Sequence, residues 1–223
     1  MNKNCARSAP RPVKPTMRTT RLRPTSLRQL RPSYRPPALR LTPQAWAKLV
    51  YLRDAGRTEI GGFGTSRADD PLLVDDVQLV RQRCSWAHVA FQDEAVADYF
   101  DRMVDAGRRP EEFARIWVHT HPGDSPAPSA ADEETFARVF GGCDWSVMLI
   151  VARNDAAYAR LQFSAGPGGA VRLPVAVDDG APFAGSDHAA WQAEYEACVT
   201  GASTTADSLE ELLGGESLWS DAP

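Results

Sequence analysis

The sequence predicts an α/β fold, a mixed β-sheet flanked by helices within a single domain. Three observations predict it. Short alternating or continuously apolar segments recur between stretches of 3.6-residue periodicity. Capping residues and glycines fall where those helices should start and stop. The apolar share of 43% and the charged share of 24% are those of an ordinary globular chain. At 223 residues the chain has room for one well-cored domain with extensions.

The elements follow in order. The stretch ALRL, Ala38 to Leu41, alternates as a short strand. Thr42-Pro43 then supplies an N-cap and a proline at the first helical position. The helix TPQAWAKLVYLRDAG places Trp46, Leu49, Val50 and Leu52 largely on one side and stops at Gly56. EIGGFG, from Glu59, reads as a short strand whose glycines permit close backbone approach. LLVDDVQLV and SWAHVAF read as strands, and DEAVADYFDRMVDAG as an amphipathic helix ending at Gly107. ARIWVHTH is a strand, SAADEETFARVFGG a helix, WSVMLIVA a buried strand, and YARLQFS and VRLPVAV further strands. The domain is expected to span residues 36–178. Residues 179–223 form an acidic extension, with a helix around His188–Val199 that presents Trp191, Tyr195 and Cys198 or Val199 on one face. A second short helix is expected at Leu209–Leu213.

Charge divides the chain. Residues 1–40 hold 11 of the 25 basic residues and no acid, so residues 41–223 carry 14 basic against all 29 acidic residues, a net of −15. The head, residues 1–35, is rich in Arg, Pro, Thr and Ser and cannot bury enough apolar surface to fold alone. It reads as a solvated tail; the alternatives are an arm that docks on an acidic partner and, less favoured, a contact to nucleic acid. A transit peptide is a further alternative, opposed by prolines that spoil an amphipathic helix.

No apolar run approaches the ~20 residues that span a bilayer, and no apolar region follows the basic start, so neither a membrane segment nor a secretory signal is expected. Cys5, Cys84, Cys143 and Cys198 lie far apart without a CxxC pair. That spacing fits a reducing, cytoplasmic setting and argues against a structural zinc site of cysteines.

The chemistry concentrates in WVHTHPGDSPAPSAADEETF, Trp117 to Phe136. Alternate residues of a strand share one face, so His119 and His121 point the same way and Thr120 the other. Two imidazoles so placed can fill two corners of a tetrahedral zinc site. Pro122-Gly123 breaks the strand. Ser129 is a natural N-cap, with Asp132 three residues on in the first turn of the next helix. The connecting loop can bring Asp132 back over the histidines, giving three ligands and a fourth position for water. Taken locally, Ser129 and Asp132 also read as a capping box, and an HxH pair as a strand crossing an interface.

The order HxH, seven residues, Ser, two residues, Asp is the JAMM motif, and the match through His119, His121, Ser129 and Asp132 is complete. The chain therefore resembles the MPN+ (JAB) metalloprotease family, in particular its prokaryotic JAB branch, over residues 38–165. The upstream glutamate that the family requires resembles Glu59 in TEIGGFG. The resemblance implies an MPN/JAB-type, cytidine-deaminase-like fold. It implies one zinc ion per chain, held by His119, His121 and Asp132 with water as the fourth ligand. It also implies Glu59 as general base and Ser129 as donor to the oxyanion. One hydroxyl cannot easily cap the helix and also donate to an oxyanion, so geometry should decide between these two roles of Ser129.

The family's usual substrate is a bond following the Gly-Gly tail of ubiquitin or a ubiquitin-like protein. The implied activity is thus a zinc isopeptidase or processing protease, with E1- and E2-like proteins as further partners. Two alternatives stand beside it: processing of a sulfur carrier of the ThiS/MoaD kind, and a non-catalytic MPN scaffold. His88 and His188 read as ordinary structural or surface histidines. Gly214-Gly215 is a weak hint of an inhibitory tail, and the acidic extension is read as solvated.

Overall fold

In the computed structural model, residues 37–201 are described. The basic head, the helix expected at Leu209–Leu213 and Gly214-Gly215 lie outside them.

The chain opens with strand β1 (Leu39–Leu41) and helix α1 (Pro43–Asp54). Thr42 caps α1, its hydroxyl accepting the Ala45 N–H at 3.1 Å, and Pro43 takes the first turn, where its missing N–H costs nothing. The buried face of α1 differs from the expected one. It consists of Ala45, Lys48, Leu49, Leu52 and Arg53, while Trp46 and Val50 are half-buried. Two cations take inward positions because distant acids meet them. Lys48 lies 3.1 Å from Asp76 and 2.8 Å from Glu194, and Arg53 lies 2.6 Å from Asp155 and 2.8 Å from the Ala152 carbonyl.

Strands β2 (Gly61–Arg67) and β3 (Asp70–Leu79) follow as an antiparallel pair. SWAHVAF is not one strand. Strands β4 (Gln82–Cys84) and β5 (Val89–Phe91) form a hairpin, turned where the Ser85 N–H donates to the His88 carbonyl at 2.9 Å and the Ser85 hydroxyl accepts the Ala87 N–H. Helix α2 (Asp93–Asp105) ends before Gly107, whose φ of +77° is the left-handed conformation that glycine favours. A short helix α3 (Pro110–Phe113) leads into strand β6 (Ile116–His121). Helix α4 (Ala130–Phe140) then crosses over to strand β7 (Trp145–Ala152), parallel to β6. Strands β8 (Ala157–Phe163), β9 (Gly169–Leu173) and β10 (Val175–Val177) complete the larger sheet, and helix α5 (His188–Cys198) leads to strand β11 (Val199–Gly201).

The larger sheet has eight strands in the order β10-β1-β3-β2-β6-β7-β8-β9. VRLPVAV thus supplies both of its outer strands, with only Pro174 between them. Proline has no N–H for a ladder, so the chain leaves β8 at Leu173 and joins β1 at Val175. A chain that passes from one edge to the other in a single residue requires the sheet to curl until its edges meet. A smaller sheet, β11-β4-β5, lies apart from this ladder.

Hydrophobic packing occupies two sides of the large sheet. On one, Ile116 and Val118 join Leu39, Leu49, Val74, Val147 and Leu149. On the other, Trp117 joins Phe63, Tyr99, Phe113, Phe136, Phe140 and Met148 beneath α2, α3 and α4. Strand alternation therefore sends Trp117, His119 and His121 towards the layer containing α4. Trp191 of α5 closes a third cluster with Leu52, Ile60 and Leu79. Among the described residues, no helix is long and apolar enough to cross a membrane.

Candidate metal centre

The two histidines stand at the carboxyl end of β6, where the central strand emerges between its antiparallel neighbour β2 and its parallel neighbour β7. His119 is 1% exposed and its ring stacks on Trp117 with centroids 4.4 Å apart. His121 is held from its outer side, its Nδ1 lying 2.8 Å from the Ser125 carbonyl oxygen. That contact makes Nδ1 a protonated nitrogen and leaves Nε2 facing inward, towards Asp132.

Helix α4 supplies the carboxylate. The Ser129 hydroxyl accepts the Asp132 N–H at 3.2 Å, and Asp132 Oδ2 accepts the Ser129 N–H at 2.6 Å, so the capping box is formed in both directions. This box fixes the Asp132 carboxylate at the mouth of the helix, facing the imidazoles. Arg160 of β8 pins the same turn through two 2.6 Å hydrogen bonds to Glu133.

The donor atoms converge. The Nε2 atoms of His119 and His121 are 3.2 Å apart. Asp132 Oδ1 lies 3.3 Å from His119 Nε2, and Oδ2 lies 3.5 Å from His121 Nε2. Ligands 2.0–2.1 Å from a central ion at the corners of a tetrahedron are separated by about 3.3–3.4 Å. The Nε2–Nε2 and His119 Nε2–Oδ1 separations have the size of two edges of one zinc coordination shell, the His121 contact is made by the other carboxylate oxygen, and the donor set of two imidazoles and a carboxylate suits that ion. His119, His121 and Asp132 are the residues that could hold it.

Burial holds His119 in its neutral, metal-ligating form, against the opposing pull of Asp132. Hydrogen bonding to Asp132 raises His121, with burial opposing. Burial alone would raise the Asp132 carboxyl, but the hydrogen bonds from His119, His121 and the Ser129 N–H outweigh it and keep the group well below the ordinary carboxylate range.

Glu59 lies beside this group. It precedes β2 rather than beginning it, is 8% exposed, and has Oε1 3.9 Å from His121 Nε2. Burial pushes its carboxyl up to about 7; His121 opposes that rise and Asp132 adds to it. Its backbone is held by three neighbouring contacts. The Glu59 N–H donates to the Ser85 carbonyl at 2.9 Å, the Thr120 N–H donates to the Ile60 carbonyl at 2.9 Å, and the Thr120 hydroxyl accepts the Ile60 N–H at 3.2 Å.

The structure thus brings Glu59, His119, His121 and Asp132 together, with Ser129 at the head of α4. At Ser129 the structure shows the cap. The hydroxyl caps by accepting, and a hydroxyl that accepts still has a proton to donate. Three contributors are not evident from the sequence: the Ser125 carbonyl, Arg160 and Thr120. A backbone carbonyl has no sequence signature, and Arg160 lies 27 residues from the glutamate it holds. Thr120 carries a usable signal, as the residue between the histidines that faces the glutamate's strand. His88 is exposed on the β4–β5 turn and His188 stacks on Tyr51, with centroids 4.9 Å apart.

A curled mixed sheet, with a histidine pair ending its central strand and an aspartate at the next helix start, defines the class: an α/β domain with a candidate zinc centre. The chain belongs to the family of prokaryotic homologs of the JAB domain, whose family model matches residues 49–164. No curated protein matches it. The family typically binds zinc and is often hydrolytic, though some of its members are non-catalytic.

Proposed function

We propose that the protein is a zinc-dependent peptidase or isopeptidase that cuts after the Gly-Gly tail of a ubiquitin-like protein. The observation that carries this reading is the convergence of His119, His121 and Asp132, whose ring nitrogens and carboxylate oxygens lie 3.2 to 3.5 Å apart, with a second carboxylic acid, Glu59, alongside but outside that set. A structural zinc site would not call for a buried carboxyl left outside the donor set at its edge.

Zinc held there would supply a Lewis acid that polarises the scissile carbonyl and acidifies a water. Glu59 does the proton work. Its carboxylate accepts the proton of the attacking water and, as the acid so formed, delivers it to the departing amine. The Ser129 O–H, left free by a cap that uses only its lone pair, donates to the substrate oxygen as negative charge builds there. His119 and His121 would turn their Nε2 lone pairs to the zinc in place of the hydrogen bonds they make to Asp132, which stays ionised. The ubiquitin-like substrate is the partner this reading requires, with E1- or E2-like proteins as further partners in the same pathway.

The test is cleavage of a ubiquitin-like fusion by the full-length chain, compared with Glu59→Gln and with chelator-treated protein. Turnover by the untreated chain alone, restored to the treated sample by zinc, is the expected result. Equal turnover in all three samples would sink the proposal. Turnover of a sulfur-carrier precursor alone would move the substrate class.

A further inference from the structure

Strand β3 stops one residue too soon. Leu79, its last residue, pairs with Gly62 of β2. The next position of β2, Gly61, lies opposite His119 on its other side and has no β3 residue paired with it. Its peptide groups are nevertheless satisfied, by the side chain of Gln82 from β4.

Gln82 is fully buried. Its Oε1 accepts the Gly61 N–H at 2.7 Å, and its Nε2 donates to the Gly61 carbonyl at 2.7 Å and to the Val80 carbonyl at 2.9 Å. The Cys84 thiol donates to Oε1 at 3.2 Å. All four bonding positions of the amide are used, two as donors and two as acceptors. Only one orientation fits, because a flipped amide would set donor against donor at Gly61. The side chain therefore stands in for the absent strand peptide, and it does so two residues from Glu59.

We propose that Gln82 is a positioning residue for Glu59, its amide fixing the start of β2 and so the place of the Glu59 carboxylate beside His119, His121 and Asp132. The role in turnover rests on the hydrolase reading above; the grip itself does not. The metal ligands come from β6 and α4, which Gln82 does not touch through any of its four hydrogen bonds. Base position and metal binding should therefore separate. A residue that merely supported the fold would lower both together.

The experiment uses the full-length chain with Gln82→Met, which keeps the side-chain length and loses the amide. Three quantities are read: amide hydrogen exchange, zinc affinity against a chromophoric chelator, and cleavage of the ubiquitin-like fusion. Exchange at Gly61 and Glu59 should quicken about tenfold or more, while Val118 and Leu149 in the β6–β7 core stay unchanged. Zinc affinity should stay within about threefold, and kcat should fall about tenfold or more with KM nearly constant. Unchanged exchange at Gly61 and Glu59 would overturn the proposal, as would zinc affinity that falls in step with kcat. Should Gln82→Met not fold, Gln82→Asn, which withdraws the amide by one methylene, is held to the same outcomes. If the wild-type chain cleaves no fusion, the hydrolase reading fails, and exchange with zinc affinity still decides whether Gln82 holds Glu59.

Discussion

Replacing Glu59 by Gln should make the zinc-free protein more stable, by an amount that depends on pH. Burial raises the Glu59 carboxyl from 4.5 to about 7. The native state therefore holds a proton between those values that the unfolded chain has released. With fewer protons bound unfolded than folded, stability must fall as pH rises from about 4.5 to 7, then level off. Each tenfold loss of acidity corresponds to about 1.4 kcal/mol, so the cost of ionising Glu59 in place is on the order of 3 kcal/mol. Gln keeps the shape and never ionises. In chelator-treated protein, Glu59→Gln should gain little at pH 4.5 and on the order of 3 kcal/mol at pH 8. For a domain of this size that is roughly 6–12 °C in Tm. Taking the difference between the two proteins at each pH cancels the titration of groups they share. Saturating zinc should narrow the gap, since a cation nearby favours the carboxylate. Thermal melts of both proteins at the two pH values, with chelator and with zinc, provide the measurement. A zinc-free difference that stays constant with pH to within about 0.5 kcal/mol would refute the burial argument.

Asp132→Asn should keep the cap, since an amide oxygen can still accept the Ser129 N–H, yet weaken zinc binding about 100-fold or more in chelator competition. Ser129→Ala should cost about 1 kcal/mol through the lost cap, seen as a lower Tm, with zinc affinity held within about threefold and turnover reduced about 100-fold. Lys48→Ala should lower stability by about 1–2 kcal/mol, because Asp76 and Glu194 retain some water; the signature is faster amide exchange in α5.

Legibility followed the range of the interactions. Thr42-Pro43, Ser129 and Gly107 mark helix ends through contacts within a few residues, so α1, α2 and α4 were readable from their own segments, whereas the four-residue α3 is too short to show a period and was not read. The candidate centre was readable because histidine, serine and aspartate at set spacings carry chemistry in their side chains. What stayed hidden depended on distant partners. Lys48 looks like a surface lysine until Asp76 and Glu194 fold beside it, 28 and 146 residues away. SWAHVAF alternates well enough for a strand, and only the Ser85 turn shows it is half of a hairpin. In VRLPVAV the proline was visible, but not that it separates the two edges of one curled sheet. The strand β11 has three residues and no pattern that would mark it.

At Ser129 and Asp132 a capping box and a candidate metal ligand look like rival readings of the same residues, and the geometry makes the two compatible. An N-cap aims its side chain at the backbone three residues on, and the residue at that position aims back. In α4 the returning group is a carboxylate, and one oxygen, Oδ2, accepts the Ser129 N–H while also facing His121. The carboxylate cannot swing away without breaking the box, so the helix start locks the candidate ligand in place. A helix N-terminus favours a carboxylate in its first turn, which helps keep Asp132 ionised before any cation arrives. Two residues between Ser129 and Asp132 are what a capping box demands. The spacing that made these residues look like a site is thus the same spacing that made them look like an ordinary helix start.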